Sequence, residues 1–361
     1  MFPSCMGMFK EMLGAEESLF KNDTALSYEF VPKLIPFREK QQRAIAGCIK
    51  PLLQQRDGKH VLVFGAPGIG KTVAIRHLFK ELEEETEEVL PIYINCWQKN
   101  SSFKVILELC NHLNYRFTQN QRGDELFKIV KGLLNKKASV ICFDEVDKLE
   151  DFDVLYSVLE EIYKKTIILI TNYREWFVQI DSRIKSRMTP EAVEFKPYSL
   201  PETKEILRQR SEYAFVPGVF EKEALDIIAQ KTFELEDIRK GLFLLRESAL
   251  AAEDASSRKV MKEHAEKAIA KIDDFSVKSS TDLKEETRFI LNLIKNNDNR
   301  KIGELFKIYQ ANKGLMTYKT FQRHIDKLEK SKFITCTRIE GGIEVNTTMV
   351  SHTKEKKITD Y

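Results

Sequence analysis

No two of the six cysteines form a CxxC pair, and no histidine stands at metal-ligand spacing from any of them. The common zinc frameworks are thereby excluded. The wide separation of Cys5, Cys48, Cys96, Cys110, Cys142 and Cys336 predicts reduced thiols rather than a disulfide scaffold. No apolar run approaches the roughly 18 residues that a membrane span needs. The opening MFPSCMGMFKEMLGAEE has neither a basic stretch nor a continuous apolar one, so a signal peptide is not expected. Charge of a single sign is missing too, because 58 Lys and Arg face 55 Asp and Glu, a net +3. Such a balance excludes a uniformly basic coat for nucleic acid but permits one basic domain beside a slightly acidic one. There is no internal repeat at a fixed period. The acidic tract ELEEETEE is most simply a solvated helix end.

What is present belongs to a globular chain. At 361 residues, 42% hydrophobic and 31% charged, the sequence has enough apolar material for two or three folded units. These features predict a soluble protein of the cytoplasm, with no membrane partner. Residues 1–22 show no firm period and are expected to form an arm. From residue 23 to 197, a helix over Arg38 to Leu53 is followed by short apolar runs (VLVFG, PIYINC, SVICFDE, TIILIT, VEFKP). Longer amphipathic stretches separate those runs, the pattern of an α/β domain with a parallel sheet covered on both faces. Residues 198–273 read as consecutive helices, a small all-helical domain. The polar stretch 274–282 is expected to be a linker, and 283–361 a third domain.

In that last domain the balance of charge changes. Residues 282–361 carry 16 Lys or Arg against 11 Asp or Glu. Ile302, Leu305, Phe306 and Tyr309 form one helical stripe, and Phe321, Ile325 and Leu328 another. The strand-like KFITCTRI meets IEV across Gly341-Gly342, which suits a two-residue hairpin. Three helices closed by a hairpin make the winged-helix pattern. With Thr317 as N-cap, the third helix turns Lys319, Thr320, Gln322, Arg323 and Lys327 outward, where they could enter a major groove. Between Arg300 and Arg338 there are ten basic and three acidic residues, a surplus suited to phosphates. Arg338 would serve the wing, whose expected tip carries an acid, Glu340. A basic face that docks on protein is the competing reading.

Three strand ends carry chemistry. Gly65, Ala66, Pro67, Gly68, Ile69, Gly70, Lys71 and Thr72 follow the strand HVLVF and open an amphipathic helix, the required setting of a phosphate-binding loop. Its glycines allow a backbone nest for phosphate oxygens, Lys71 reaches the β and γ phosphates, and the Thr72 hydroxyl can ligate magnesium. The strand ending in Asp144 and Glu145 supplies one acid for a metal and one to polarise water. Adjacent strand residues point to opposite faces, so both acids reach one site only if the strand end curls. Asp147 suits chemistry and helix capping equally. A third strand ends in Asn172, whose amide could hold the lytic water. Arg183, Arg187 and Arg239 follow, and an arginine fork suits phosphoryl oxygens.

In this order, GAPGIGKT, DEVD, the TN strand end, SRIKSRM and DIR resemble an AAA+ ATPase. With PFREKQ, INC, FKPYSLPETKEILRQR and the basic C-terminal domain, residues 20 to 350 are similar to the archaeal origin-recognition and cell-division-control initiator family. The resemblance implies a P-loop NTPase sheet, a helical lid and a winged helix. It implies phosphate binding by Gly68 to Thr72, Walker B acids at Asp144 and Glu145, sensor 1 at Asn172 and sensor 2 at Arg239. Tyr198 and Arg210 become nucleotide contacts, Val31 and Pro32 the adenine wall, and Arg187 or Arg183 the arginine finger. The cofactors implied are ATP or ADP and Mg2+. Implied partners are origin duplex DNA, the replicative helicase, and a second copy or paralogue on DNA. The family reading leaves open a slowly hydrolysing, ADP-bound scaffold, and a loader ATPase whose winged helix binds protein. One departure stands out: the lid reads LEDIRKG where a glycine before the acid is usual, so the start of that helix is expected to differ.

Overall fold

The computed structural model describes residues 18–281, 285–312, 314, 316–330, 333–339 and 347–352. The chain divides into two compact units, Met1–Ile269 and Ala270–Tyr361.

In the first unit, five strands form one parallel sheet: β1 (Val61–Phe64), β2 (Val89–Asn95), β3 (Ala138–Asp144), β4 (Lys165–Thr171) and β5 (Glu191–Glu194), in the order β2-β3-β4-β1-β5. Helices cover both faces, so the strands are apolar at successive positions rather than at alternate ones, and all seven residues of β3 are buried. On one face Leu62, Ile94, Phe143 and Leu169 pack against α3 (Ser102–His112), α4 (Gly123–Leu134), α5 (Asp153–Glu161) and α7 (Ser182–Arg187), which is preceded by the short α6 (Glu175–Gln179). On the other face Val63, Val140, Cys142 and Ile170 meet α1 (Glu39–Leu53) and α2 (Lys71–Glu85) through Ile45, Ile49, Ile75 and Phe79. The last strand lies two residues earlier than VEFKP suggested. Its ladder runs from Val61↔Glu191 to Phe64↔Glu194 and stops short of Pro197, which has no N–H to donate.

Four helices form the lid: α8 (Leu200–Ala214), α9 (Lys222–Glu234), α10 (Ile238–Asp254) and α11 (Lys262–Thr281). Ser199 and Glu202 close a capping box at the start of α8. The expected linker at 274–282 is instead largely helical, since α11 runs to Thr281. No proline or glycine interrupts 262–281, so nothing local ends that helix. The described part of the arm belongs to the lid. Leu19 N–H donates to Glu253 Oε1 at 2.7 Å, the Lys21 and Asn22 amides donate to Ala214 O, and Ala25 and Leu26 are buried in a 3-10 turn.

The second unit packs α12 (Glu285–Asn296), α13 (Ile302–Ala311) and α14 (Tyr318–Lys330) on a three-stranded antiparallel sheet, β6 (Arg300–Lys301), β8 (Thr347–His352) and β7 (Ile334–Ile339) in that spatial order. Ile290, Ile294, Leu305, Phe321, Ile325, Leu328 and Val350 make its core, a winged-helix arrangement with one more strand than the sequence suggested. The hairpin register also differs. A turn at Gly341-Gly342 would set Ile339 opposite Glu344, whereas Ile339 pairs with Thr347. Glu340, Gly341, Gly342 and the IEV strand lie outside the described residues. The β-branched TTMVSH segment supplies the pairing strand.

One partly buried histidine contributes to the acid sensitivity of the sheet. His60 Nδ1 accepts the Ile167 N–H at 3.1 Å, and burial together with the nearby Lys165 pushes its pKa down to about 4. Below the ordinary value near 6.5 the unfolded chain takes up a proton that the folded chain refuses. Stability is therefore lost as pH falls from about 6.5 to 4, by about 2 kcal/mol after allowing for partial exposure. Urea midpoints should show this drop in the wild type and a clearly smaller one in His60→Gln. Equal drops in both proteins would contradict it.

Candidate functional site

The phosphate-binding loop joins β1 to α2, and its glycines are required by what surrounds them. Gly68 has φ +77°, and a Cβ there would lie 2.0 Å from Asp237 Oδ1 of the lid. Gly70, the N-cap of α2, has φ +89°, and its Cβ would lie 2.8 Å from Tyr198 Oη. Lys71 is 7% exposed, and its ammonium donates to Gly65 O at 2.6 Å, Ala66 O at 2.8 Å and Asn172 Oδ1 at 2.9 Å. Burial lowers its pKa to about 8, against the pull of Asp144. A buried cation is thus held by neutral oxygens alone, an arrangement that an anion would improve.

The acids meet this loop from β3. Asp144, 3% exposed, accepts Thr72 Oγ1–H and Tyr93 Oη–H on Oδ2, each at 2.6 Å, and the Glu145 N–H on Oδ1 at 2.9 Å. Glu145 sits at φ +53°, ψ +46°, so the strand end does curl and both acids line one cavity. Burial, then Asp144 and Asp147, raise the Glu145 carboxyl above its ordinary range. Asp147 pairs with Lys148 at 2.9 Å and accepts from Thr171 Oγ1 at 3.3 Å, which ties the end of β3 to β4.

The lid closes over the loop. Ile238 N–H donates to Gly68 O at 3.1 Å, and Asp237 caps α10 while holding the Arg239 guanidinium at 3.0 and 2.9 Å. Glu236 explains the departure in LEDIRKG. It takes φ +51°, the left-handed conformation that a glycine adopts freely, and Asp237 caps the helix immediately after it. Between loop, acids and lid lies a cavity of about 340 Å³.

Pro67, Gly68, Gly70, Lys71, Thr72, Asp144, Glu145, Asn172, Tyr198, Arg210, Arg239 and Pro32 all line this cavity. Val31, Gly65 and Ile69 are not among its lining residues. Ile69 packs into the core under the loop, and Gly65 serves through its carbonyl. Arg210 lines the cavity, but its guanidinium donates to Ala25 O at 3.0 Å and Phe30 O at 3.4 Å, so it fastens the segment just after the arm to the lid. Arg183 and Arg187 lie elsewhere. On α7 they pair with Asp181 and Glu160 beside the Tyr156 ring. Several residues at this site escaped sequence reasoning, among them Tyr93 and Arg76, which line the cavity, and Arg38, which packs on the lining residue Tyr198. Tyr93 is described above. Arg38, 4% exposed, stacks 3.8 Å over the Tyr198 ring and donates to Ile69 O at 3.0 Å and Lys196 O at 2.7 Å. PFREKQ drew attention to Arg38, but nothing local gives its partners.

In the second unit Thr317 Oγ1 accepts from Thr320 N–H at 3.4 Å, in the geometry of an N-cap on α14. Phe321, Ile325 and Leu328 face the core, Lys319 and Arg323 are exposed, and Thr320 and Gln322 are half-buried. Lys327 and Arg338 lie on α14 and β7, and their side chains are outside the description.

A parallel sheet with a glycine loop after β1, two acids at the end of β3, an amide at the end of β4 and a helical lid over them defines an AAA+ ATPase. Comparison with known proteins agrees. A family model described as AAA domain matches residues 54–174, and one described as Cdc6 AAA+ ATPase-type lid domain matches residues 204–270. An ORC1-type DNA replication protein of Pyrococcus abyssi is 31% identical over 291 residues, 74% of this chain and 68% of that protein. The ORC1-type DNA replication protein 2 of Methanothermobacter thermautotrophicus is 27% identical over 354 residues, covering 93% of each. Among solved structures, the Aeropyrum pernix ORC1 protein in complex with DNA shares the fold at TM-score 0.69 and 24% identity, over 93% of this chain and 94% of that one. The chain belongs to the ORC1-type DNA replication protein family.

The left-handed Glu236 yields a test of the lid's seating. Glu236→Gly relieves about 1 kcal/mol of backbone strain and gives part of it back as unfolded-state entropy. Denaturant unfolding should show a gain of roughly 0.5 kcal/mol, and a loss of stability would contradict the assigned conformation.

Proposed function

We propose that this protein is an ATP-binding and hydrolysing replication initiator that holds origin duplex DNA through its winged helix and helps recruit the replicative helicase. The observation that carries the reading is the convergence of Lys71, Thr72, Asp144, Glu145 and Asn172 on one cavity, capped by the Asp237–Arg239 start of α10. The site fits a nucleotide. Gly68 and Gly70 let Asp237 and Tyr198 pack directly on the loop beside the cavity, and Lys71 can exchange the carbonyls of Gly65 and Ala66 for phosphate oxygens. Thr72 Oγ1 and the Asp144 carboxylate are hard oxygen donors suited to Mg2+, which when bound neutralises charge on the phosphates.

Within this site, Glu145 polarises the attacking water and Asn172 orients it with a neutral amide. Arg239 leaves Asp237 to meet the γ phosphate, so the lid responds to what is bound. Pro32 would line the adenine pocket and Tyr198 would contact the nucleotide, since both line the cavity. Arg187 and Arg183, exposed on α7, suit a finger offered to a neighbouring copy or paralogue. For DNA the supports are the exposed Lys319 and Arg323 on α14, the basic surplus around them, and the DNA complex of the Aeropyrum pernix ORC1 protein. A cytoplasmic location at the nucleoid follows from that partner, and among the described residues no helix is long and apolar enough to cross a membrane.

Two experiments test the reading. Glu145→Gln should retain ATP while phosphate release falls on the order of 100-fold, and turnover at the wild-type rate would remove Glu145 from its role. Arg323→Ala should weaken duplex binding and lower the slope of log affinity against log salt by about 1. An unchanged slope would favour a protein partner for the winged helix.

A further inference from the structure

We propose that Tyr93 is a positioning residue for the metal acid Asp144, fixing the rotation of its carboxylate so that Asp144 and Thr72 hold the divalent cation together. The inference rests on the nucleotide-site reading above and adds to it a residue of β2 to which neither the sequence pattern nor the resemblance assigns a role.

The geometry is specific. Asp144 Oδ2 receives two hydroxyl donors, Thr72 Oγ1–H and Tyr93 Oη–H, both at 2.6 Å, the short distance of a charge-assisted O–H···O bond. Oδ1 receives the Glu145 N–H at 2.9 Å. Thr72 and Glu145 are themselves parts of the reacting site and must adjust as nucleotide and metal come and go. Tyr93 does not share that duty. It belongs to β2, its register partner is Cys142, and it packs against the same buried cluster as Cys142, on the sheet face that carries α2. Cys142 and Asp144 are two apart on β3 and so lie on one face, which brings the phenol to the carboxylate from the neighbouring strand.

The ring is clamped from its other side. Arg76, one turn along α2 from Thr72, places its guanidinium 4.4 Å from the ring centroid and lines the same cavity. Toward a carboxylate oxygen the phenol hydroxyl acts as the donor. A strand-borne aromatic fixed by a cation can hold a carboxylate in one orientation at little entropic cost. Groups that orient a metal's ligands in this way commonly change metal affinity by 10- to 100-fold when removed.

Tyr93→Phe deletes only the hydroxyl. The readouts are ADP affinity in EDTA, by titration calorimetry, and Mn2+ affinity of the ADP-saturated protein, by the loss of free Mn2+ paramagnetic resonance signal. The expected result is an ADP affinity in EDTA within twofold of wild type and Mn2+ affinity weakened about tenfold. Mn2+ affinity within twofold of wild type would overturn the proposal. An equal fall in both affinities would also overturn it, because Tyr93 would then support the pocket as a whole. If the wild-type protein bound no ADP in EDTA, the nucleotide reading itself would fail, an outcome separate from the other two. Thermal unfolding of the variant, expected within a few degrees of wild type, confirms that the compared proteins are both folded.

Discussion

A buried positive charge with no negative partner in hydrogen-bond contact organises the first unit. The Lys71 ammonium is largely buried at the edge of the cavity and satisfied by two carbonyls of its own loop and the amide oxygen of Asn172. Neutral acceptors satisfy its hydrogen bonds but leave its charge largely uncompensated, which is why burial depresses its pKa. Anything that brings phosphate oxygens to the loop relieves this imbalance. The left-handed glycines, the curled end of β3 and the amide at the end of β4 all place groups around that one nitrogen.

The lid extends the same logic to a second layer. Its first turn sits directly on the loop, through Ile238 N–H to Gly68 O, and its arginine rests on its own capping acid. Arg239 is therefore held in readiness beside the cavity instead of being free in solvent. Arg38 joins the loop to the segment between β5 and α8 by bonding Ile69 O and Lys196 O while stacked on Tyr198. The loop, the β5–α8 connection and the lid thus share a few buried polar contacts, and a change at the phosphates has short routes to α8 and α10.

Much of this was legible in the residues. The five apolar runs became the five strands, and the glycine loop stood in the required setting between strand and helix. The need for the end of β3 to curl could be stated from the pleat alone, and Glu145 meets it with a positive φ. What escaped was non-local. Tyr93 looks like a core strand tyrosine until β2 is laid beside β3, and Arg38 like a surface arginine until the chain returns at Lys196. Arg210 was assigned to nucleotide by resemblance, and it reaches the cavity, yet the carbonyls of Ala25 and Phe30 take its donors. The hairpin register failed for another reason. Gly341-Gly342 is a strong local turn signal, but the observed pairing brings in the β-branched strand Thr347–His352 instead.

The claim at the centre is that the Lys71 ammonium is the principal electrostatic contact for phosphate. Titration calorimetry of ADP into wild type and Lys71→Ala, both shown to be folded, tests it most directly. The account predicts a loss of at least about 100-fold in affinity, close to 2.7 kcal/mol. Equal affinity in the two proteins would contradict it.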